Sequence, residues 1–328
     1  MDNVATLKRS KFISKPLFMQ SLKSLWVLWL ALTIGAAGIF VIINVAIGSK
    51  SIFTNINMND VSVYVKDEGL SWLKVLGLLE KMGFNLNRIQ IMSQIDLNSI
   101  LNELIFKIAG VLLPMIYVMI ASNKLICAQV SDGSMAYVLS TPTNRKTVIR
   151  TQFVFLLASI FAMYIVITAS AFASDSISKA ILFSQKPELK ENWAPLSTIL
   201  YCVGSFASMF CLAGICFGAS SFFNKSNYSV AVGGGVCVLS FLCCILGLFG
   251  NEVFVAVGIG VKSMYFFNYL SVFTLMDTAS MTTFSKAAAG IESAFSYNWI
   301  WEIAILFVVG AVVAYFGGRV FTKKDLPL

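Results

Sequence analysis

The sequence predicts an all-α integral membrane protein with six transmembrane helices, and three observations carry that expectation. Hydrophobic residues make up 58% of the 328 and charged residues 12%, with a mean hydropathy of +0.81, whereas a soluble domain carries roughly a quarter of its residues as Asp, Glu, Lys and Arg. Six apolar runs each approach the roughly 20 residues a helix needs to cross a bilayer. The cations gather in the segments that six crossings would leave on one side. Such runs leave room for one transmembrane domain over residues 1–328 and none for a separate soluble domain.

The spans are expected at Leu25–Ile47, Ile105–Ile126, Thr151–Ala173, Leu196–Phe222, Val230–Phe249 and Trp299–Val320. Lys107 lies near one end of the second, where a long side chain snorkels. The first run is too long for the apolar core of a cleaved signal, and no obvious cleavage site follows it, so it reads as a signal anchor. Before it, "KRSKFISKPLFMQSLKSLW" mixes cations such as Lys15 and Lys23 with Phe12, Ile13, Leu17, Phe18, Leu22 and Leu25. That mixture suits a helix in the membrane interface, cations on lipid headgroups. A plain topogenic anchor explains the charges equally well.

Six spans place both ends of the chain on one side, and charge chooses which. The terminal arms and the loops after the second and fourth spans hold 13 cations against Asp2, Asp132 and Asp325, a net of +10. The opposite segments hold 11 cations and 12 acids, and Glu302 lies within the last span. The positive-inside rule then predicts a multi-pass plasma-membrane protein with cytoplasmic termini. A total charge of +8 is therefore a topology signal, not a sign of nucleic-acid binding.

The external segment 48–104 contains "GLSWLKVLGLLEKMG", with Leu70, Leu73, Leu76, Leu79 and Met82 at threes, and then Ile95, Leu97, Ile100, Leu101 and Leu104 after Asp96. These patterns predict a helical hairpin over the outer face. It serves either as a packing lid or as a substrate-binding element. Residues 250–296 hold a run, Val253–Val261, too short to span. A re-entrant or interface-lying segment is preferred there over a seventh crossing.

Several chemistries are excluded. Without histidine there are no His-based triads, HExxH zinc sites or imidazole relays. The seven cysteines lie in apolar runs or at a membrane edge and read as small packing residues. "GIGVKS" (258–263) and "IGSKS" (47–51) lack the Gly-Lys pair of a P-loop, so no cofactor is expected in this chain. Gly214 and Gly218 form a GxxxG, expected to serve packing within the chain. Candidate polar residues of a pathway are Asn44 and Glu302, both near outer ends, with interfacial placement the plainer reading of Glu302.

One polar stretch, "DGSMAYVLSTPTNRKTVIRTQ" (132–152), interrupts this apolar chain. Asp132 is placed to cap a short helix, Gly133–Ser140, whose Met135, Val138 and Leu139 share one face. Pro142 ends it, Thr143 is expected to cap the next helix, and Arg145, Lys146 and Arg150 lead into the third span facing headgroups. Either this is a docking helix for another protein or an ordinary loop with topogenic cations.

That stretch resembles the cytosolic element of type-2 ATP-binding-cassette permeases: an acid and glycine, a short helix, then "LS-x-P-x-x-R" and a basic lead. "SKPLFMQSLKSLWVLWL" (14–30) is similar to the family's interfacial helix and first span. "NYLSVFTLMD" (268–277) resembles the segment before its last span, and "FTKKDLPL" (321–328) its tail. The likeness runs the length of the chain and is greatest to permeases of Gram-positive exporters. One departure is that the family often has glutamate just before the glycine, where this chain offers Gln129 and Asp132.

The resemblance implies two permease chains, identical or paralogous, forming the pathway in membrane lipid, and two separate ATPase subunits that bind ATP and Mg. It assigns coupling to the ATPase to Asp132, Gly133, Met135, Val138, Leu139, Pro142, Arg145 and Lys146, together with the N-terminal arm at Lys15, Phe18 and Lys23. The function read from it is an ATP-driven exporter subunit for an amphipathic or hydrophobic substrate, such as a peptide or antimicrobial. The alternatives are an ion-coupled carrier, which wants acids near mid-membrane, and a non-transporting sensor or scaffold.

Overall fold

The computed structural model describes residues 13–48, 106, 110–140, 143–185, 194–250, 255, 260–291, 293 and 295–324. Among them α-helices follow in chain order: α1 (Lys15–Gly48), α2 (Leu112–Leu125), α3 (Cys127–Ser131), α4 (Ser134–Ser140), α5 (Arg145–Gln185), α6 (Leu196–Phe222), α7 (Ser226–Leu248), α8 (Thr278–Ala288) and α9 (Asn298–Lys323). Two 3-10 helices, Lys262–Leu270 and Val272–Leu275, precede α8, and no strand occurs among the described residues. Six units are long and apolar enough to cross a membrane: α1, α2 with α3, α5, α6, α7 and α9. The helical pair expected within 48–104 lies outside the described residues, as does Pro142.

Helix ends follow local chemistry. From Lys15 onward the N-terminal arm is helical and continuous with the first span as α1. Pro16 sits in the first turn, where its missing N–H costs nothing, and no breaker follows it. Of the second span the described residues show α2 from Leu112, with Pro114 in its first turn. A helical Phe106 precedes it, its carbonyl accepting from Gly110 N at 3.1 Å, and the expected start at Ile105 lies outside the described residues. The span is broken at Ile126, with φ −126° and ψ −70°, into α2 and α3. The third span continues to Gln185, a helix of 41 residues or roughly 60 Å. The next proline in the sequence is Pro187. α6 occupies the expected Leu196–Phe222.

α6 is the central helix, packing on α9, α5, α7, α2 and α8. Its buried face is small: Gly204, Ala207, Ser208, Ala213, Gly214, Gly218 and Ser221 among others. A Cβ on Gly214 would lie 2.2 Å from the Gly310 carbonyl oxygen, and one on Gly317 would lie 2.5 Å from the Gly218 Cα. The GxxxG is thus spent on parallel contact with α9 inside the chain. The seven cysteines are free and buried, with Cys216 and Cys237 Sγ atoms 3.4 Å apart.

α1 and α5 run parallel, joined by hydrogen bonds from end to end. Ser14 N donates to Thr151 Oγ1 (3.0 Å), Ser21 Oγ to Gln152 Oε1 (2.8 Å), Trp29 Nε1 to the Ser159 carbonyl (2.8 Å) and Asn44 Nδ2 to Ser174 Oγ (3.0 Å). After α7 the chain folds back along that helix. Tyr265 passes Gly250, Asn268 Nδ2 donates to the Gly247 carbonyl, and Ser271 Oγ reaches the Ser240 carbonyl, roughly 12 Å inside the end of α7. It turns at Met276, beside Gly204 and Ser205 of α6, and α8 returns past Tyr201 to Ala194.

Gly214→Val and Gly310→Val are each expected to lower the melting temperature in detergent, at a cost of about 1–3 kcal/mol or more for overpacking. Gly235→Ala, whose new methyl meets open space, is expected to leave it unchanged.

Candidate functional site

One end of the bundle carries the N-terminus of α1, the α2–α5 connection, the α6–α7 turn and the C-terminus of α9. Its described cations include Lys15, Lys23, Lys124, Lys146, Arg150, Lys225, Arg319 and Lys323, and Asp132 is the one acid there among the described residues.

The short helix at this end does not present the face that its sequence pattern suggests. Asp132 closes α3 through its backbone N–H, which donates to the Ala128 carbonyl, and α4 begins only after Gly133. Gly133 takes φ +73°, a left-handed conformation natural to glycine, and so re-aims the chain between the two helices. Ser134 Oγ donates to the Gln129 carbonyl and Thr143 Oγ1 to the Val138 carbonyl, bracing the element at both ends. Met135 is fully buried, and Val138 and Leu139 are half-buried against the same core. The apolar stripe therefore holds α4 to its own chain. What α4 turns outward is Tyr137, 81% exposed, with Asp132, Ser134 and Ser140.

Tyr137 was not among the residues the pattern singled out. A 3,4 spacing of apolar residues defines a face but not what covers it. The signal that finds Tyr137 is an aromatic on the polar side of a short helix.

Arg145 is tied inward as well, not aimed at headgroups. Its Nη1 donates to the Lys324 carbonyl (2.8 Å), and Lys324 Nζ donates to the Phe222 carbonyl at the end of α6. Burial pushes the Lys324 ammonium below the usual lysine range. This joins the start of α5 to the ends of α6 and α9. Lys124 Nζ reaches the Ser24 carbonyl and Asn123 Nδ2 donates to Ser226 Oγ (2.7 Å), adding α1, α2 and α7 to the same junction. Lys146, Lys15 and Lys23 are exposed. Phe18 packs edge-on against Phe155, ring centroids 5.2 Å apart, so it faces α5 and not lipid. The lipid side of that stretch is Met19, Leu22 and Trp26.

The two candidate pathway residues are engaged elsewhere. Asn44 is buried in the α1–α5 seam. Glu302 lies beside Asp277, at the turn where the folded-back segment enters α8, and its Oε2 is buried without a partner. Asp277 caps α8, accepting from Ser280 N at 3.1 Å. Of the two candidates, Asn44 is the one bonded between helices.

Beside the α3–α4 turn lies a cleft of about 780 Å³, walled by Val130, Ser131 and Gly133 on one side and by the α6–α7 turn, Asn224–Tyr228, on the other.

Residues 21–326 match the family model described as ABC-2 family transporter protein, so the chain belongs to that family. No curated protein and no solved structure matches it.

Met135→Asp is expected to lower the melting temperature sharply, since an unpaired charge would enter the core. Tyr137→Asp, on the exposed face, is expected to leave it unchanged within about 0.5 kcal/mol. Thermal unfolding of the purified variants checks both.

Proposed function

As a transmembrane subunit of the ABC-2 transporter family, this chain is, we propose, the membrane half of an ATP-driven exporter powered by separate ATPase subunits. The basic end is its cytoplasmic end, by the positive-inside rule. The ATPase docks on the outward side of α4, with Tyr137 as the buried anchor of the contact and Asp132 at its edge. A second permease chain, a copy or a paralogue, completes the pathway.

The observation that carries this reading is α4 itself: a short helix locked to the core by Met135 while presenting an exposed tyrosine. A lever needs both properties. The docked protein must find an anchor, and its motion must reach the spans without being lost in a loose loop. Closure of the ATPases on ATP would shift α4, and with it α2 and α5, biasing the spans between two arrangements.

The substrate is proposed to be amphipathic or hydrophobic, a peptide or an antimicrobial being examples. Support comes from the α1–α5 seam, where Ser21, Trp29 and Asn44 are bonded across to α5. An ion-coupled carrier wants carboxylates near mid-membrane, whereas Glu302 lies in the first turns of α9 and Asn44 ties α1 to α5.

The test is reconstitution with the partner ATPase in proteoliposomes. Tyr137→Asp is expected to weaken association by roughly 30-fold, the loss of about 2 kcal/mol typical of an interface anchor, and to abolish stimulated ATP hydrolysis while the fold persists. Wild-type hydrolysis and substrate flux in that variant would defeat the proposal. So would flux that follows an ion gradient and ignores ATP.

A further inference from the structure

The start of α5 meets the end of α9 at the basic end of the bundle, where a Cβ on Gly318 would lie 3.0 Å from Ile149 Cγ2. Beside that contact each helix carries two exposed cations, Lys146 and Arg150 on α5, Arg319 and Lys323 on α9. At 3.6 residues per turn, Lys146 and Arg150 stand about 60° and 100° round the helix from Ile149. Arg319 and Lys323 stand about 100° and 140° round from Gly318, in the same sense along the chain. The two helices are antiparallel, since α5 begins at this end and α9 finishes there. Equal-handed offsets on antiparallel helices turn all four cations to one side of the pair. They fall in two tiers. Arg150 and Arg319 lie within about 2 Å of the level of the contact, whereas Lys146 and Lys323 lie roughly 5 and 8 Å nearer the helix ends.

Neither residues 143–174 nor residues 303–324 include an acid. Arg319 also stands over an aromatic ring, its Cζ 5.7 Å from the centroid of Tyr315. Farther in, the same side of the pair is apolar. Phe206 of α6 stands between the two helices, its ring 5.8 Å from Phe161 of α5 and 6.0 Å from Phe307 of α9. Phe161 and Ile165 on α5 and Val308 and Val312 on α9 are exposed along that strip.

An occupant must meet the cations and the apolar strip together. The arginine tier suits a phosphate, which guanidinium groups hold through paired N–H donors. The lysine tier adds positive charge where the rest of a headgroup lies, and the strip below suits acyl chains. A zwitterionic headgroup brings its own ammonium against the lysines. A soluble phosphate leaves the strip uncovered. A phospholipid of net negative charge answers every feature.

We propose that the α5–α9 junction is a binding site for an anionic phospholipid, whose headgroup braces these two helix ends. The site sits beside the bond from Arg145 Nη1 to the Lys324 carbonyl, so a bound lipid reinforces the same joint between the helix that follows α4 and the last span. The inference is independent of the exporter reading.

The experiment uses the full chain, purified in a non-ionic detergent and titrated with phosphatidylglycerol, phosphatidylcholine or inorganic phosphate. Phosphatidylglycerol is expected to raise the melting temperature by several degrees, as a ligand of the folded state does, and to stay on the chain in native mass spectrometry. The other two are expected to do neither. Arg319→Gln combined with Lys323→Gln is expected to weaken the affinity roughly 30-fold, about fivefold for each cation at a lipid headgroup. Lys146→Gln, on the other helix, is expected to weaken it about fivefold. Lys15→Gln combined with Lys23→Gln, exposed on α1, is expected to leave it unchanged. An equal response to phosphatidylcholine, or a response to inorganic phosphate alone, would overturn the proposal. So would wild-type affinity in both junction variants, or an equal loss in the α1 variant, which would mean diffuse attraction to charge and no site.

Discussion

The contact between α6 and α9 at Gly214 and Gly310 sets the position of everything around it. In lipid there is no hydrophobic gain in pressing two apolar helices together, so close association depends on van der Waals packing and interhelical hydrogen bonds. Bare backbone at 214, 218, 310 and 317 lets the two axes approach until main-chain atoms touch. Because α6 also packs on α2, α5, α7 and α8, the depth and rotation it adopts against α9 fix the frame for the other spans. The turn at Met276 fits beside α6 for the same reason, since Gly204 leaves no side chain in its way.

The seam between α1 and α5 uses the other available force. Polar pairs along its length each contribute about 0.6 kcal/mol on average in membrane helices. Their larger effect is register, because a slip of one residue would leave several buried groups unpaired. Those bonds consume the polar side chains that a proton or ion relay would need. Glu302 lies beside Asp277 at the entry to α8. Among the described residues, the charged side chains of the spans lie toward their ends.

The basic end is tied together by hydrogen bonds. Lys324, Arg145 and the Phe222 carbonyl clamp the ends of α5, α6 and α9, and Lys124 and Asn123 bring in α1, α2 and α7. A force applied at this end enters a connected network of helix termini. Few of these ties involve a carboxylate, which leaves exposed cations such as Lys146 and Lys225 for a partner or for lipid headgroups.

Class, span number, the extent of α6 and the concentration of charge at one end were all legible in the sequence. Transfer of a segment into lipid is a local property, summed over its own residues. Pro16 and Pro114 each sit in the first turn of a helix, where the missing N–H costs nothing. Tertiary structure alone decided what covers each face. Met135, Val138 and Leu139 make an apolar stripe that fits a partner's groove as well as this chain's own core. Only the left-handed turn at Gly133 and the space beside the spans chose the core, leaving Tyr137 outward. Likewise Asn44 looked available until Ser174 was brought to it across 130 residues of chain. Such pairings depend on the packing of distant segments, which hydropathy and spacing do not encode.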